Sequence, residues 1–205
     1  MEIKIVKTLD ELAKIWELTY SEYLREGYCS PRPCNKLCHY KHLDITDNGE
    51  LYPQTTVYYV EEYGEVVGTN SITLDGLGGL HVDGSFREAV DEIRLEAKEA
   101  KKVLASSWRI VTSYKLRNTI SVLTELVNVV YNQIVKNNID ITLFIFHPKH
   151  AQFYERMVGL KTIAGPLSEL AVTGHPAVLM RGDIEDVDIW RNTYARLKRR
   201  GRKNA

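Results

Sequence analysis

The residues best equipped for chemistry fall in one short run, His147-Pro148-Lys149-His150, with Tyr154 just beyond it. An unperturbed imidazole titrates near neutrality, so either histidine can accept a proton at physiological pH. Pro148 breaks the apolar run ITLFIF that precedes it, which puts both histidines at the end of a strand. The plainer alternative is that one of them bonds backbone at a strand-to-helix turn, while Tyr154, beside Phe153, anchors a helix to the sheet. A second concentration is Cys29, Cys34, Cys38, His39 and His42. Zinc ligands usually come in short pairs such as C-x-x-C, and this set has none, so no metal site is expected. Three cysteines in one stretch also make a poor secreted disulfide framework. Lys115 and Arg117 stand just before Asn118, a residue able to cap a helix. Two cations at a helix N-terminus can hold one phosphate; the equally weighted alternative is two solvated charges.

The chain that must position these groups has 205 residues, a length that suits one domain or one domain with a tail. Lys plus Arg and Asp plus Glu both number 27, so no global basic field points to nucleic acid. No signal-like leader opens the chain, and no apolar run approaches the ~20 residues of a membrane span. A cytoplasmic protein without a transmembrane segment is therefore expected. EIKIV alternates as a short strand. Thr8 and Glu11 fit a capping box ahead of a helix over about 9–26, with Leu12, Ile15, Trp16, Thr19, Tyr20 and Tyr23 at helical spacing and Gly27 as its stop. Residues 28–55 read as a long loop with one short helix, and loops of that length are more often functional than idle. TTVYYV and VVGTNSITL form a hairpin. Ser85 and Glu88 suggest a second capping box for a helix over about 86–100, whose charged residues make a solvated face.

VLASSWRIV is a candidate central strand, buried on both faces. A long helix capped by Asn118 follows, then strand ITLFIF, helix AQFYERMV and strand LKTIAG. Strand PAVLMRG precedes a last helix with Ile189, Trp190, Tyr194 and Leu197. The order predicts an α/β domain, a mixed sheet with helices on both faces, over 1–185. A C-terminal helix and basic tail occupy 186–205; the tail is either disordered or able to dock an acidic carrier protein or an anionic membrane.

The passage TLFIFHPKHAQFYERMVGLKTI resembles the closing half of GNAT-fold acyltransferases. With LREGYCSP, YPQTTVYYVEEYGEVVGTNSITLD and VTGHPAVLMRGD in the same order, the sequence is similar to FeeM-type N-acyl amino acid synthases over roughly 12–185. That branch is related to the acyl-homoserine lactone synthases. The resemblance implies the GNAT fold and an N-acyltransferase that moves a medium or long acyl group from acyl carrier protein, or acyl-CoA, to an amine, here expected to be an amino acid. It implies no tightly bound cofactor; the acyl donor is a co-substrate. Partners are then acyl carrier protein and a small amine.

The resemblance also implies site residues. Strands 103–111 and 141–146 would splay apart to take the pantetheine arm, making Ser106, Ser107, Trp108, Arg109 and Phe146 donor-binding. Lys115, Arg117 and Asn118 would hold the phosphate. Arg25 and Tyr28 lie where the acceptor enters, although an arginine ending a helix is also a routine dipole partner. Tyr154 falls on the position of the tyrosine that protonates the leaving thiolate. Two departures accompany the match. TSYKLRNTIS has no glycine where a pyrophosphate loop would have several, which favours a carrier-protein donor. Leu104 stands where the related enzymes usually place a central-strand glutamate. Two other readings follow: an acetyl-CoA-dependent acetyltransferase, or a silent acyl-binding or regulatory module on the same scaffold.

Overall fold

A computed structural model describes residues 2–36, 41–76, 79–80, 82, 84–116, 119–168 and 175–203. Strand β1 (Glu2–Ile5) leads to α1 (Leu9–Arg25) and the short α2 (Lys41–Asp44). The hairpin β2 (Thr55–Glu62) and β3 (Glu65–Leu74) precedes α3 (Arg87–Glu99) and β4 (Leu104–Thr112). Then come α4 (Thr119–Lys136), β5 (Ile141–Phe146), α5 (Pro148–Val158), β6 (Lys161–Leu167), β7 (Ala177–Asp183) and α6 (Val187–Lys203). The strands make one seven-stranded sheet in the order β1-β2-β3-β4-β5-β7-β6. Among the described residues only β4 and β5 pair in parallel; every other strand pair is antiparallel. The mixed sheet expected from the sequence is present.

Local chemistry explains the boundaries. Both halves of the Thr8–Glu11 capping box form, with Thr8 Oγ1 accepting the Glu11 N–H and the Glu11 carboxylate accepting that of Thr8. The Ser85–Glu88 box does not form: a 3-10 turn at Gly84–Phe86 carries the chain into α3, whose N-cap is Phe86 without a side-chain cap bond. Asn118, expected to cap α4, lies outside the described residues, as do Cys38, His39 and Arg117. Within 28–55 the expected short helix is α2, followed by an Ile45–Leu51 bridge.

The alternation of β-strand side chains divides the core between the two faces. Ala105, Phe144, Val178 and Met180 face α4, α5 and α6, whose Val130, Ile134, Tyr154, Val158 and Trp190 complete that layer. Leu104, Leu143 and Leu179 face α3 through Val90, Ile93 and Ala97. Helix α1 buries Leu12 and Ile15 against Val57 and Tyr59. Trp190 is 4% exposed within the first of these clusters, so the helix that the sequence sets at 186–205 packs its first turn into the core.

Candidate active site

The sheet has a split in it. Parallel pairing of β4 with β5 covers Leu104–Ile141, Ala105–Thr142 and Ser106–Leu143, and then stops, although β4 runs on to Thr112 and β5 to Phe146. On its other edge β4 slips register against β3 between Thr69 and Ser71, opposite Arg109. Arg109 has φ +57°, a left-handed conformation that is strained for a side chain this large. A bulge of this kind bends its strand and ends pairing. The expected splay of the two central strands is thus a property of the backbone.

Into the split opens a cavity of about 530 Å³. Its walls are the end of α1 (Glu22, Tyr23, Arg25, Glu26), Tyr28, β4 from Ser107 to Thr112, Leu123 of α4, the end of β5 and the start of α5. Of the residues singled out in the sequence, the fold brings Arg25, Tyr28, Ser107, Trp108, Arg109, Phe146, His147, His150 and Tyr154 to this one cavity. Ser106 sits at the last paired position, 1% exposed, and does not line it. Lys115 is exposed in the segment after β4 and does not line it either. Leu104, at the paired start of β4, packs toward α3, away from the split.

Tyr154 is 9% exposed and stacks on Phe146, with ring centroids 3.9 Å apart. Burial pushes its phenol up to about 12, so it keeps its proton at neutral pH and has an O–H to donate. His147 is the N-cap of α5: Nδ1 accepts the Lys149 N–H at 3.2 Å, and Pro148 takes the first helical position. A neutral imidazole that accepts at Nδ1 carries its proton on Nε2, which makes His147 a donor toward its surroundings. The structural role that the sequence left open for one histidine therefore falls to His147. Desolvation, then the Lys149 charge, hold the His150 imidazole below its ordinary range, and Glu26 opposes them. Desolvation also leads the lowering at His147, followed by Lys149 and His175. Both shifts favour the neutral ring.

Two residues of this neighbourhood escaped the sequence reading. Glu22 is 5% exposed and lines the cavity; its carboxylate accepts the Tyr114 N–H at 3.1 Å and pairs with Arg25 at 3.2 Å. An i, i+3 Glu–Arg pair near a helix end reads as a solvated contact, so nothing in the sequence distinguished it. His175 donates Nε2–H to the Gly27 carbonyl at 2.8 Å and lies edge-on to Tyr28, ring centroids 4.8 Å apart. It stood in a quoted motif, VTGHPAVLMRGD, without being assigned a role. Arg25 also pairs with Glu26 at 2.6 Å and lies over the Tyr114 ring, so its guanidinium is already engaged on three sides.

Cys29 and Cys34 are free thiols. Among the described residues, no three His, Cys, Asp or Glu side chains are grouped to hold a metal, and no helix is long and apolar enough to cross a membrane.

The family model described as N-acyl amino acid synthase FeeM matches residues 14–183. The solved structure of FeeM, an N-acyl amino acid synthase from uncultured soil microbes, superposes with TM-score 0.74 at 20% identity, covering 94% of this chain and 93% of that one. The acyl-homoserine lactone synthase LasI gives TM-score 0.60 at 14% identity, with 88% of each chain covered. A putative N-acetyltransferase from Lactobacillus plantarum gives 0.55 at 13%, covering 89% of this chain and 97% of the other. No curated protein matches the sequence.

Proposed function

Because this chain belongs to the FeeM family of N-acyl amino acid synthases, and is therefore an acyltransferase of the GNAT fold, we propose that it transfers a medium or long acyl group from a carrier-protein thioester to the amine of an amino acid. The observation that carries this reading is the parting of β4 from β5 after Ser106 and Leu143. A thioester at the end of a flexible arm needs a slot that reaches the middle of the sheet, and this one ends beside Tyr154, His147 and His150. The segment 112–121 has no glycine to cradle a pyrophosphate, which supports a carrier-protein donor, with its single phosphate, over free coenzyme A. Lys115 is the described cation of that segment.

The proposed chemistry is direct. The acceptor nitrogen attacks the thioester carbonyl, the N–C bond forms, the C–S bond breaks, and an amide and a thiol leave. His150 takes the proton lost by the nitrogen, since Nδ1 of His147 is committed to its helix. Backbone N–H groups of β4 beyond Ser106, where β5 has moved away, are the source of an oxyanion donor. Tyr154 donates an O–H hydrogen bond to the departing sulfur; with its phenol held near 12 it keeps its own proton, and the thiolate ends as a thiol by taking up the proton that the nitrogen loses, relayed by His150. No cysteine is used. The test is mass-spectrometric: acyl carrier protein loaded with a series of chain lengths, the same acyl groups on coenzyme A, and a pool of amino acids. The expected product is an N-acyl amino acid formed faster from the carrier protein, with Tyr154→Phe slowing turnover by about 100-fold. Donor binding without any amide product would overturn the proposal in favour of a silent acyl-binding module.

A further inference from the structure

Arg109 carries more hydrogen-bonding capacity than the protein uses. Its side chain is 5% exposed, and the residue lines the cavity where the split opens. Both bonds to Asp44 are made by Nη2, at 2.6 and 2.7 Å, and the guanidinium lies over the Trp108 ring at 4.3 Å. Nη1 is buried and has no hydrogen-bond partner among the described residues. A buried unpaired guanidinium nitrogen is costly, and the cost is accompanied by a left-handed backbone at the same residue. Asp44 is itself held in place by the Trp16 indole N–H at 2.7 Å, so this is a supported cation rather than a loose side chain. Strain and an orphaned donor together at a cavity wall mark a position completed by a ligand.

We infer that Arg109, which the resemblance assigns to the donor, is instead the anchor for the α-carboxylate of the acceptor, and so sets the preference for amino acids over simple amines. This rests on the acyl-transfer reading. The pantetheine arm and acyl chain are uncharged within the slot, so the anion available to Nη1 beside the reacting carbonyl is the carboxylate two bonds from the attacking nitrogen. Nη2 alone makes the Asp44 bonds, so a carboxylate seated against Nη1 leaves that ion pair intact. Arg25, the other candidate, is exposed and already engaged by Glu22, Glu26 and Tyr114.

The experiment measures product binding, which needs no turnover. Affinities of an N-acyl amino acid and of the matching N-acyl amino acid amide, which lacks the negative charge, are compared by calorimetry on the full chain. The wild type is expected to favour the carboxylate by on the order of 30–100-fold, the worth of a buried charge-assisted bond. Arg109→Gln should bring that ratio close to one. Since this variant leaves Asp44 buried and unpaired, Arg109→Gln with Asp44→Asn serves as the foldable counterpart and should show the same collapse, whereas Asp44→Asn alone should retain most of the preference. Equal wild-type affinities, or a ratio that survives in both Arg109 variants, overturns the inference. Failure of acyl transfer from every donor would instead sink the acyltransferase reading, and the binding ratio would still decide Arg109.

Discussion

At the scale of single residues, the site separates two histidines that look interchangeable in sequence. His147 spends Nδ1 on the Lys149 N–H, whereas the His150 ring is free to take up a proton at the cavity edge. Desolvation, then the Lys149 charge, hold the His150 imidazole below the ordinary histidine range, so its neutral, proton-accepting form persists to lower pH than for a solvated histidine. With His150 as base, the acidic limb of kcat/KM falls only as pH drops through that lowered value, and above it the rate is flat until the acceptor amine itself titrates. His150→Gln should abolish the plateau, leaving a rate that climbs tenfold per pH unit up to the amine pKa, because free amine is then the reacting species. An unchanged profile would remove His150 from the proton path. Glu22 shows the opposite relation between sequence and structure. Its type and i, i+3 spacing to Arg25 are those of a surface pair, and only the docking of α1 beside the split buries it.

Elements tell how much of this was legible beforehand and why the rest was not. Strand β5 appears where ITLFIF placed it, because Pro148 can take the first turn of a helix but cannot continue a strand. Helix α1 starts where the Thr8–Glu11 box predicts, since both partners are local. The Ser85–Glu88 pair has the same pattern and fails, because a 3-10 turn consumes Gly84–Phe86 before the α-helix begins. Two further features have no local signal. The insertion of β7 between β5 and β6 is a long-range pairing, and the split depends on a left-handed non-glycine residue, Arg109, inside an apolar strand. Gly68 on β3 is an element-scale test of how α4 sits over the sheet. A Cβ there would come within 2.5 Å of Val122 Cγ1 and 3.3 Å of Leu126 Cδ1, both of α4. Valine is stiff at χ1 and cannot yield cheaply, so Gly68→Ala should destabilise by about 1–3 kcal/mol in denaturant melts. A neutral result would mean that α4 shifts freely on β3, at odds with the buried cluster that Val122 and Leu126 form with Val67 of β3.

At the scale of the whole molecule, the question is whether the C-terminal helix belongs to the catalytic body. An unbroken row of aromatic rings runs from it to the cavity. Trp190 lies 6.0 Å from Phe144, Phe144 stacks on Phe146 at 5.7 Å, and Phe146 stacks on Tyr154 at 3.9 Å. Rings in such contact hold one another's positions through packing, and interiors at native density transmit a displacement rather than absorb it. Trp190 also closes over Gly182 of β7, where an added Cβ would meet its ring at 3.3 Å. Trp190→Ala removes the first member of the row and leaves a cavity beneath α6, a change that costs about 3–5 kcal/mol in a core that cannot collapse. The expected outcome is a large fall in Tm together with slower turnover measured well below that Tm, because Phe146 loses its backing and Tyr154 its fixed stacking partner. Trp190→Phe, which restores most of the volume, should recover both. Were residues 186–205 an appended segment, deleting them would leave Tm and rate alike unchanged; with Trp190 4% exposed in the same cluster as Tyr154, deletion should instead abolish the cooperative melt.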